Sequence, residues 1–397
     1  MFELARSNGL QAVEHAALNA MGTTLFWAHR MEEMSARIDE LTSLIQKSEN
    51  QALKLESMVI MALRHQCYGE LTETKPLYDE VIRVARAINH KPALLSGLTW
   101  RSFVYFFQSE YGRAEVLLTE AAELATELRD GFRLLNCLFC LGMVQGNQGR
   151  MSDALRTFNK AIDMAKRNGD HAVRAKLPNC LGWIYRELQD LEKARHYDQN
   201  GVAIAREDRI AEAEAHSLIN LGNNPAIDGD SEGPLEAYSE AEIVFGRDDW
   251  LRWRFNIRHL AGQAEYWLGK GNLDLSKAYA EFLLEAANRH GVHKNIAVAH
   301  KLLGETALES GDPFEAERQL NHALNEMQEY PAPLVAWKTY ASLGRLHLKK
   351  GESEDAKKAF ARARLVVQQI ASNVDDEALR STFLNSPAVR MALAEQL

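Results

Sequence analysis

The chain repeats itself about every 40 residues, and that period restricts its fold more than any other feature. Residues 141–170 read LGMVQGNQGRMSDALRTFNKAIDMAKRNGD. Forty residues on stands LGWIYRELQDLEKARHYDQNGVAIAREDRI, and forty further LGNNPAIDGDSEGPLEAYSEAEIVFGRDDW. Later copies begin LGETALESGDPFEAERQLNHALNEM and LGRLHLKKGESEDAKKAFARARLVV. One column of this register holds only small residues: Gly22, Ala62, Ser102, Gly142, Gly182, Gly222, Ala264, Gly304 and Gly344. Its step is 40 except for 42 between Gly222 and Ala264, which places two extra residues near 246–250. Twelve positions on lie Met34, Thr74, Ala114, Ala154, Ala194, Pro234, Ser276, Ala316 and Ala356, where only Met34 is bulky. A fixed period of this length marks a stack of supersecondary units, each burying its apolar face against its neighbours.

The two small columns read as helix contacts. A small side chain at a crossing lets two helix backbones approach to about 8–10 Å. Larger apolar residues then fill in around it, as Phe158 with Ala161 and Phe360 with Ala363 are placed to do. Leucine at Gly182 is expected to overpack such a contact, whereas alanine is expected to fit. Between the helices, Gly149, Gly229, Gly271, Gly311 and Gly351 share a column suited to the left-handed residue that ends a helix. His29 and Gln189 stand there in two repeats. Ser152, Glu192 and Glu315 open the helices that follow, where an acidic or hydroxyl group favours the positive end. Pro234 falls in a first turn, where proline is tolerated.

The spacing small–x6–Gly–x4–Ala–x3–aromatic–x2–Ala resembles the tetratricopeptide repeat. Its period of 40 resembles the long variant found in kinesin light chains, Leu-Gly-Asn-rich spindle adaptors, and the sensor arms of bacterial signalling NTPases and MalT-like activators. The resemblance covers about residues 6–371. It implies an all-α, right-handed solenoid of about nine helical hairpins over 1–371, with capping helices over 372–397. In that tail Leu379, Phe383 and Leu384 share a helix side, and Ser386 with Pro387 forms an N-cap and first turn. The tail also resembles the closing segment of proteins in which such an arm follows an ATPase. With the first helix starting almost at Met1, the chain is expected to be free-standing or the arm of a regulator carrying an upstream ATPase.

Composition narrows the function. The net charge is −9 with no dense Lys/Arg run, which speaks against nucleic acid as a partner of this chain. No apolar run reaches the roughly 18 residues of a membrane span, and the N-terminus lacks a signal-peptide pattern, so a cytoplasmic location is expected. No phosphate-binding, dinucleotide, nucleophile-elbow or zinc-protease motif occurs, so the expectation is a non-enzyme without cofactor. His290 and His293 flank an inter-repeat turn without evident metal partners. Asp248-Asp249 and Asp375-Asp376 read as loop and helix-start acids.

In this repeat class the first helices line the concave wall, so the resemblance implies a groove whose residues follow from the register. Repeats one to three contribute Asn19, Phe26, Trp27, Gln66, Phe103, Phe106 and Phe107. Repeats four to six contribute Asn136, Phe139, Asn147, Asn179, Trp183, Arg186, Asn220 and Asn223. Repeats seven to nine contribute Arg258, Glu265, Lys301, Glu305, Lys338 and Arg345. Phe103, Phe107, Asn136, Asn179, Trp183, Arg186, Asn220 and Asn223 are the residues expected to hold a partner. Aromatics offer large contact area. An Asn amide can pair with any peptide backbone, as in related adaptors and peptide-pheromone receptors. The function expected is a protein- or peptide-binding scaffold, the sensor region of a bacterial regulator. A small-molecule-sensing arm that controls self-association is the alternative, and a structural or homo-oligomerising module is another.

The four cysteines give a direct test. Cys137 and Cys140 form a lone C-x-x-C inside an apolar run, and Cys140 and Cys180 occupy equivalent sites in adjacent hairpins. Helices at that separation stand about 10 Å apart, beyond the ~7 Å Cα limit for a disulfide. Thiol titration of the unfolded, unreduced protein is expected to find all four thiols free, and elemental analysis no stoichiometric zinc. Two titratable thiols, or one zinc per chain, would contradict this.

Overall fold

The computed structural model describes residues 2–224, 233–247 and 249–393, and every regular element among them is helical. Most periods form two helices joined by a short turn, as His171–Glu187 and Leu191–Asp208 do in the fifth. None of these helices is long and apolar enough to cross a membrane.

Left-handed residues punctuate the chain in two series. Inside the hairpins His29, Gly69, Ser109, Gly149, Gln189, Gly271, Gly311 and Gly351 have φ between 57° and 81°. The turn thus imposes this conformation even without glycine, at roughly 1–2 kcal/mol for a residue with a Cβ. Gly229, placed in the same column by sequence, lies outside the described residues. Between hairpins Asn89, Arg129, Gly169, Arg209, Leu251 and Gly291 form a second series that the sequence reading did not single out. Leu251 stands 42 residues after Arg209, and the helix before it stops at Phe245. The two extra residues therefore fall between Phe245 and Leu251, a stretch whose Asp248 is not among the described residues. Helix starts are capped by side chains at Asn50, Asp170, Asp190, Asn272 and Asp312, each accepting from a backbone N–H three residues on. Ser152 does otherwise: its N–H donates to the Asn373 carbonyl at 3.1 Å and its Oγ accepts from the Asp375 N–H at 2.8 Å.

The small column is the contact it was read to be. A Cβ placed on Gly142, Gly222, Gly304 or Gly344 would come within 2.5–2.7 Å of Phe158, Tyr238, Leu320 or Phe360, each sixteen residues on in the partner helix. Where the column carries alanine, Ser276 Oγ donates to the Ala264 carbonyl at 3.0 Å, one small position against the other. The first repeat departs from this. Its second helix breaks into Met31–Ser35 and Ile38–Lys47, Met34 is fully buried, and Gly22 packs instead against Ile60 of the next repeat. The fifth repeat departs differently. The residue opposite Gly182 is Asp198, and any Cβ on Gly182 would overlap its carboxylate. The expectation that alanine fits there is therefore corrected: alanine already collides.

The chain divides into two compact units, 1–105 with 112–137 and 246–254, and 106–111 with 138–245 and 255–397. In the first, His29 stacks on Trp250 at 4.1 Å, and the Trp253 indole N–H donates to the Gln66 carbonyl at 3.1 Å. In the second, the start of helix Met151–Asn168 meets the end of helix Ser353–Ser372 through the Ser152 bonds and an Arg156–Asp375 ion pair. The tail then forms Glu377–Asn385 and Pro387–Leu393. Asp376 accepts from the Leu379 N–H at 3.0 Å, Ser386 Oγ from the Val389 N–H at 3.4 Å, and Leu379, Phe383 and Val389 are buried. The last of these helices packs on both helices of the ninth hairpin. Residues 394–397 lie outside the described part.

Two glycine substitutions test this packing against simple helix propensity. Gly142→Ala is expected to lower stability by about 1–3 kcal/mol, because the fully buried Phe158 ring must shift to admit the Cβ. Gly112→Ala, in helix Tyr111–Glu127 with nothing within 4 Å of its Cβ, is expected to raise it by about 0.4–1 kcal/mol. Thermal melts showing the same midpoint for both variants would refute the contact.

Candidate functional site

The first helices carry the residues expected to bind a partner, and their settings differ. Phe103 is buried in the first unit, its ring 5.6 Å from Trp100. Asn136, also in that unit, is buried and donates to the Phe132 carbonyl of its own helix at 2.9 Å. Phe107 belongs to the second unit, where it is buried 5.7 Å from Phe106. The remaining five lie on successive first helices of the second unit, His171–Glu187 and Ala211–Asn223.

Here the structure joins several of them. Asn220 is fully buried and engaged at both ends of its amide. Its Nδ2 donates to the Asn179 carbonyl and to Asp198 Oδ1, both at 2.8 Å, and its Oδ1 accepts from Arg258 Nη2 at 2.6 Å. Asn179 is buried and turns its own amide to the Lys176 carbonyl. Asn223 is half-buried and accepts from the Tyr238 hydroxyl at 2.6 Å. Trp183 is half-buried rather than open, with its ring against Gly146 and the Lys294 ammonium 5.7 Å from the ring centre. Arg186 is half-buried, and its Nη1 is shielded from solvent with no hydrogen-bond acceptor among the described residues.

Three charged residues that the sequence reading did not assign to the site organise it. Asp198 is fully buried in the slot that Phe158 and Tyr238 fill in flanking repeats. Beyond Asn220, it accepts from Asn224 Nδ2 at 3.1 Å. Burial pushes its carboxyl up to about 7, while the two Asn amides and the charges of Arg186 and Arg258 pull the other way. Its signal in sequence was an acid where the repeat wants an aromatic. Lys294 donates to Asn147 Oδ1 at 2.8 Å, across 147 residues of chain. Burial pushes its ammonium down to about 8, with Arg258, Lys338 and Arg186 adding to that and Glu187 opposing. Glu187 accepts from Lys338 Nζ at 3.2 Å. Burial alone would raise it, but Lys338, Arg186 and Lys294 outweigh burial and hold it below the ordinary carboxylate range. Lys294 and Glu187 had no sequence signal, since what brings them in is the approach of distant repeats. On the same face Lys301 and Glu305 pair at 2.7 Å. No group of three or more His, Cys, Asp or Glu among the described residues is arranged to hold a metal.

No protein-family model matches the chain, and no curated protein matches it in sequence. Solved structures do match. A Rap protein complexed with competence and sporulation factor superposes with a TM-score of 0.68 at 15% identity, over 91% of this chain and 99% of that one. The Rap conjugation gene regulator of plasmid pLS20, in complex with the Phr* peptide, gives 0.60 at 14% identity over 91% and 98%. Aspartyl phosphate phosphatase F from Bacillus subtilis gives 0.52 at 12% identity over 89% and 94%. At these identities the likeness is one of fold, and the fold is the tetratricopeptide type that the repeat resembles.

Burial of Asp198 has a measurable consequence. Its folded-state pKa, about 7, lies above the roughly 3.9 of an exposed Asp, so the folded protein holds this proton more tightly than the unfolded one. The stability it contributes is full below pH ~3.9 and is lost as pH rises to about 7. Asp198→Asn removes the buried charge and keeps an acceptor for Asn220. Its new amide N–H can reach Asn224 Oδ1, which is buried without a donor, after a flip of that side chain. The variant is expected to melt above wild type at pH 8 and close to it at pH 4. Equal melting temperatures at pH 8 would show that the carboxylate is not under strain.

Proposed function

We propose that this chain binds a peptide, or an extended protein segment, on the first-helix face of its second unit, and that it serves as the interaction region of a signalling regulator. The observation that carries this reading is the unfinished polar surface there. Arg186 holds a shielded N–H without an acceptor, and Trp183 lies half-covered beneath Lys294. Buried polar groups are ordinarily satisfied, and an aromatic anchor beside such groups is the usual core of a binding patch. Two solved structures of the same fold are complexes, one with competence and sporulation factor and one with the Phr* peptide, which supports the same mode here. The role is read as binding rather than catalysis; the phosphatase named for the third structure is a property of that protein.

The buried network limits how such a ligand is held. Asn220 spends its amide internally, so a peptide backbone meets Asn223, Trp183 and the cations rather than a row of free Asn side chains. Immobilised full chain is expected to retain members of a pooled linear peptide library. Hydrogen exchange with a retained peptide should slow in the first helices His171–Glu187, Ala211–Asn223 and His293–Ser310. Protection confined to second helices, or no retention above a blank surface, would reject the reading.

A further inference from the structure

Two histidines face each other inside the eighth hairpin. His300 stands on its first helix, His293–Ser310, and His322 on its second, Pro313–Glu329, with ring centres 5.2 Å apart. Two imidazoles that share one tetrahedral ion, each with a nitrogen about 2.0–2.1 Å from it, have ring centres about 5 Å apart. The spacing thus suits a shared metal as well as a plain ring contact.

The hydrogen bonds around His300 favour the metal. Buried Gln319 donates from Nε2 to Glu315 Oε1 at 2.8 Å, which turns its own Oε1 toward His300. His300 Nδ1 is then the protonated nitrogen, donating to that oxygen at 2.6 Å. Its Nε2 keeps a bare lone pair, with no hydrogen-bond partner among the described residues and no seal from solvent. A metal-ligating histidine is ordinarily fixed in this way, by its other ring N–H on an oxygen acceptor. Burial, with His322 and Arg318, lowers the His300 pKa against Gln319 and Glu326, so the ring stays in the neutral form that binds metal. His322 is exposed and makes no hydrogen bond to any described residue, so it is free to turn a nitrogen inward. The neighbouring cation, Arg318, is held by both oxygens of Glu315. His293 is already engaged, with Nδ1 on Glu326 at 2.6 Å and its ring flat on Tyr330 at 3.5 Å. No third His, Cys, Asp or Glu among the described residues completes a metal set here.

We propose that His300 and His322 together hold a divalent transition-metal ion of the zinc or copper kind between the two helices of this hairpin, with its remaining positions open to water. Imidazole is a ligand suited to both ions. Two protein ligands release such an ion readily to a chelator, so the site is read by adding metal and not by what a preparation retains.

The test titrates the full chain, untagged and treated with chelator, with zinc chloride alone in a calorimeter. One zinc per chain is expected to bind saturably in the submillimolar range. His322→Ala is expected to weaken it by at least the roughly tenfold that loss of a mere outer-shell partner costs, without moving the melting temperature. Copper(II) in place of zinc reads the donors on the unaltered protein, and its paramagnetic resonance spectrum should show coupling to two imidazole nitrogens. Absence of saturable zinc uptake would overturn the site. So would an unchanged zinc affinity in His322→Ala, which would put the ion elsewhere, or a copper spectrum from a single nitrogen or from sulfur.

Discussion

The distance between two helix backbones in each hairpin is the constraint on which the rest of the chain depends. It is set where Gly142, Gly222, Gly304 and Gly344 leave no room for a Cβ beneath Phe158, Tyr238, Leu320 and Phe360. That contact fixes which side of the first helix faces its partner and hence which side is left for other use. Left-handed residues inside the described hairpin turns and in six of the joints between hairpins keep the period, so one register runs from the second repeat to the ninth. The two-residue excess before Leu251 is absorbed between helices, because inside one it would rotate every later side chain off its contact.

The fifth repeat uses the same slot for a different purpose. Putting Asp198 where an aromatic belongs brings a carboxylate against Gly182 and calls in Asn220 and Asn224 from the next repeat to satisfy it. Asn220 then orders Arg258. A packing position has become the hub of a polar network that reaches Arg258 on the next first helix. Such networks are costly when partly satisfied. The unpaired Arg186 Nη1 and Asn224 Oδ1 are therefore more informative than the bonds that are complete.

The fold was legible in the sequence because it is written nine times. Small residues, turn residues and the capped tail each recur or stand where helix physics requires them. The first hairpin was least legible, and its broken second helix accounts for the bulky Met34. The site was legible only in part. Residues on the first helices could be named by register, but register does not say which amides are already spent, as those of Asn179 and Asn220 are. Asp198 is visible in sequence as an acid in the column that holds Phe158 and Tyr238, but the column alone does not say that its carboxylate is buried. Lys294 and Glu187 had no local pattern, since what matters about them is the company they keep.

That company arises from contacts that a simple stack would not make. In a nearest-neighbour solenoid, repeat four meets only repeats three and five. In the second unit, repeat four also reaches the end of repeat nine through Ser152, Asn373 and Asp375, while Lys294 of repeat eight reaches Asn147 of repeat four. Lys338 of repeat nine likewise reaches Glu187 of repeat five. These links gather on one face charges that lie about 150 residues apart in sequence. The meeting of Lys294 with Asn147 and of Lys338 with Glu187 is thus a property of this unit's long-range contacts and not of any single repeat.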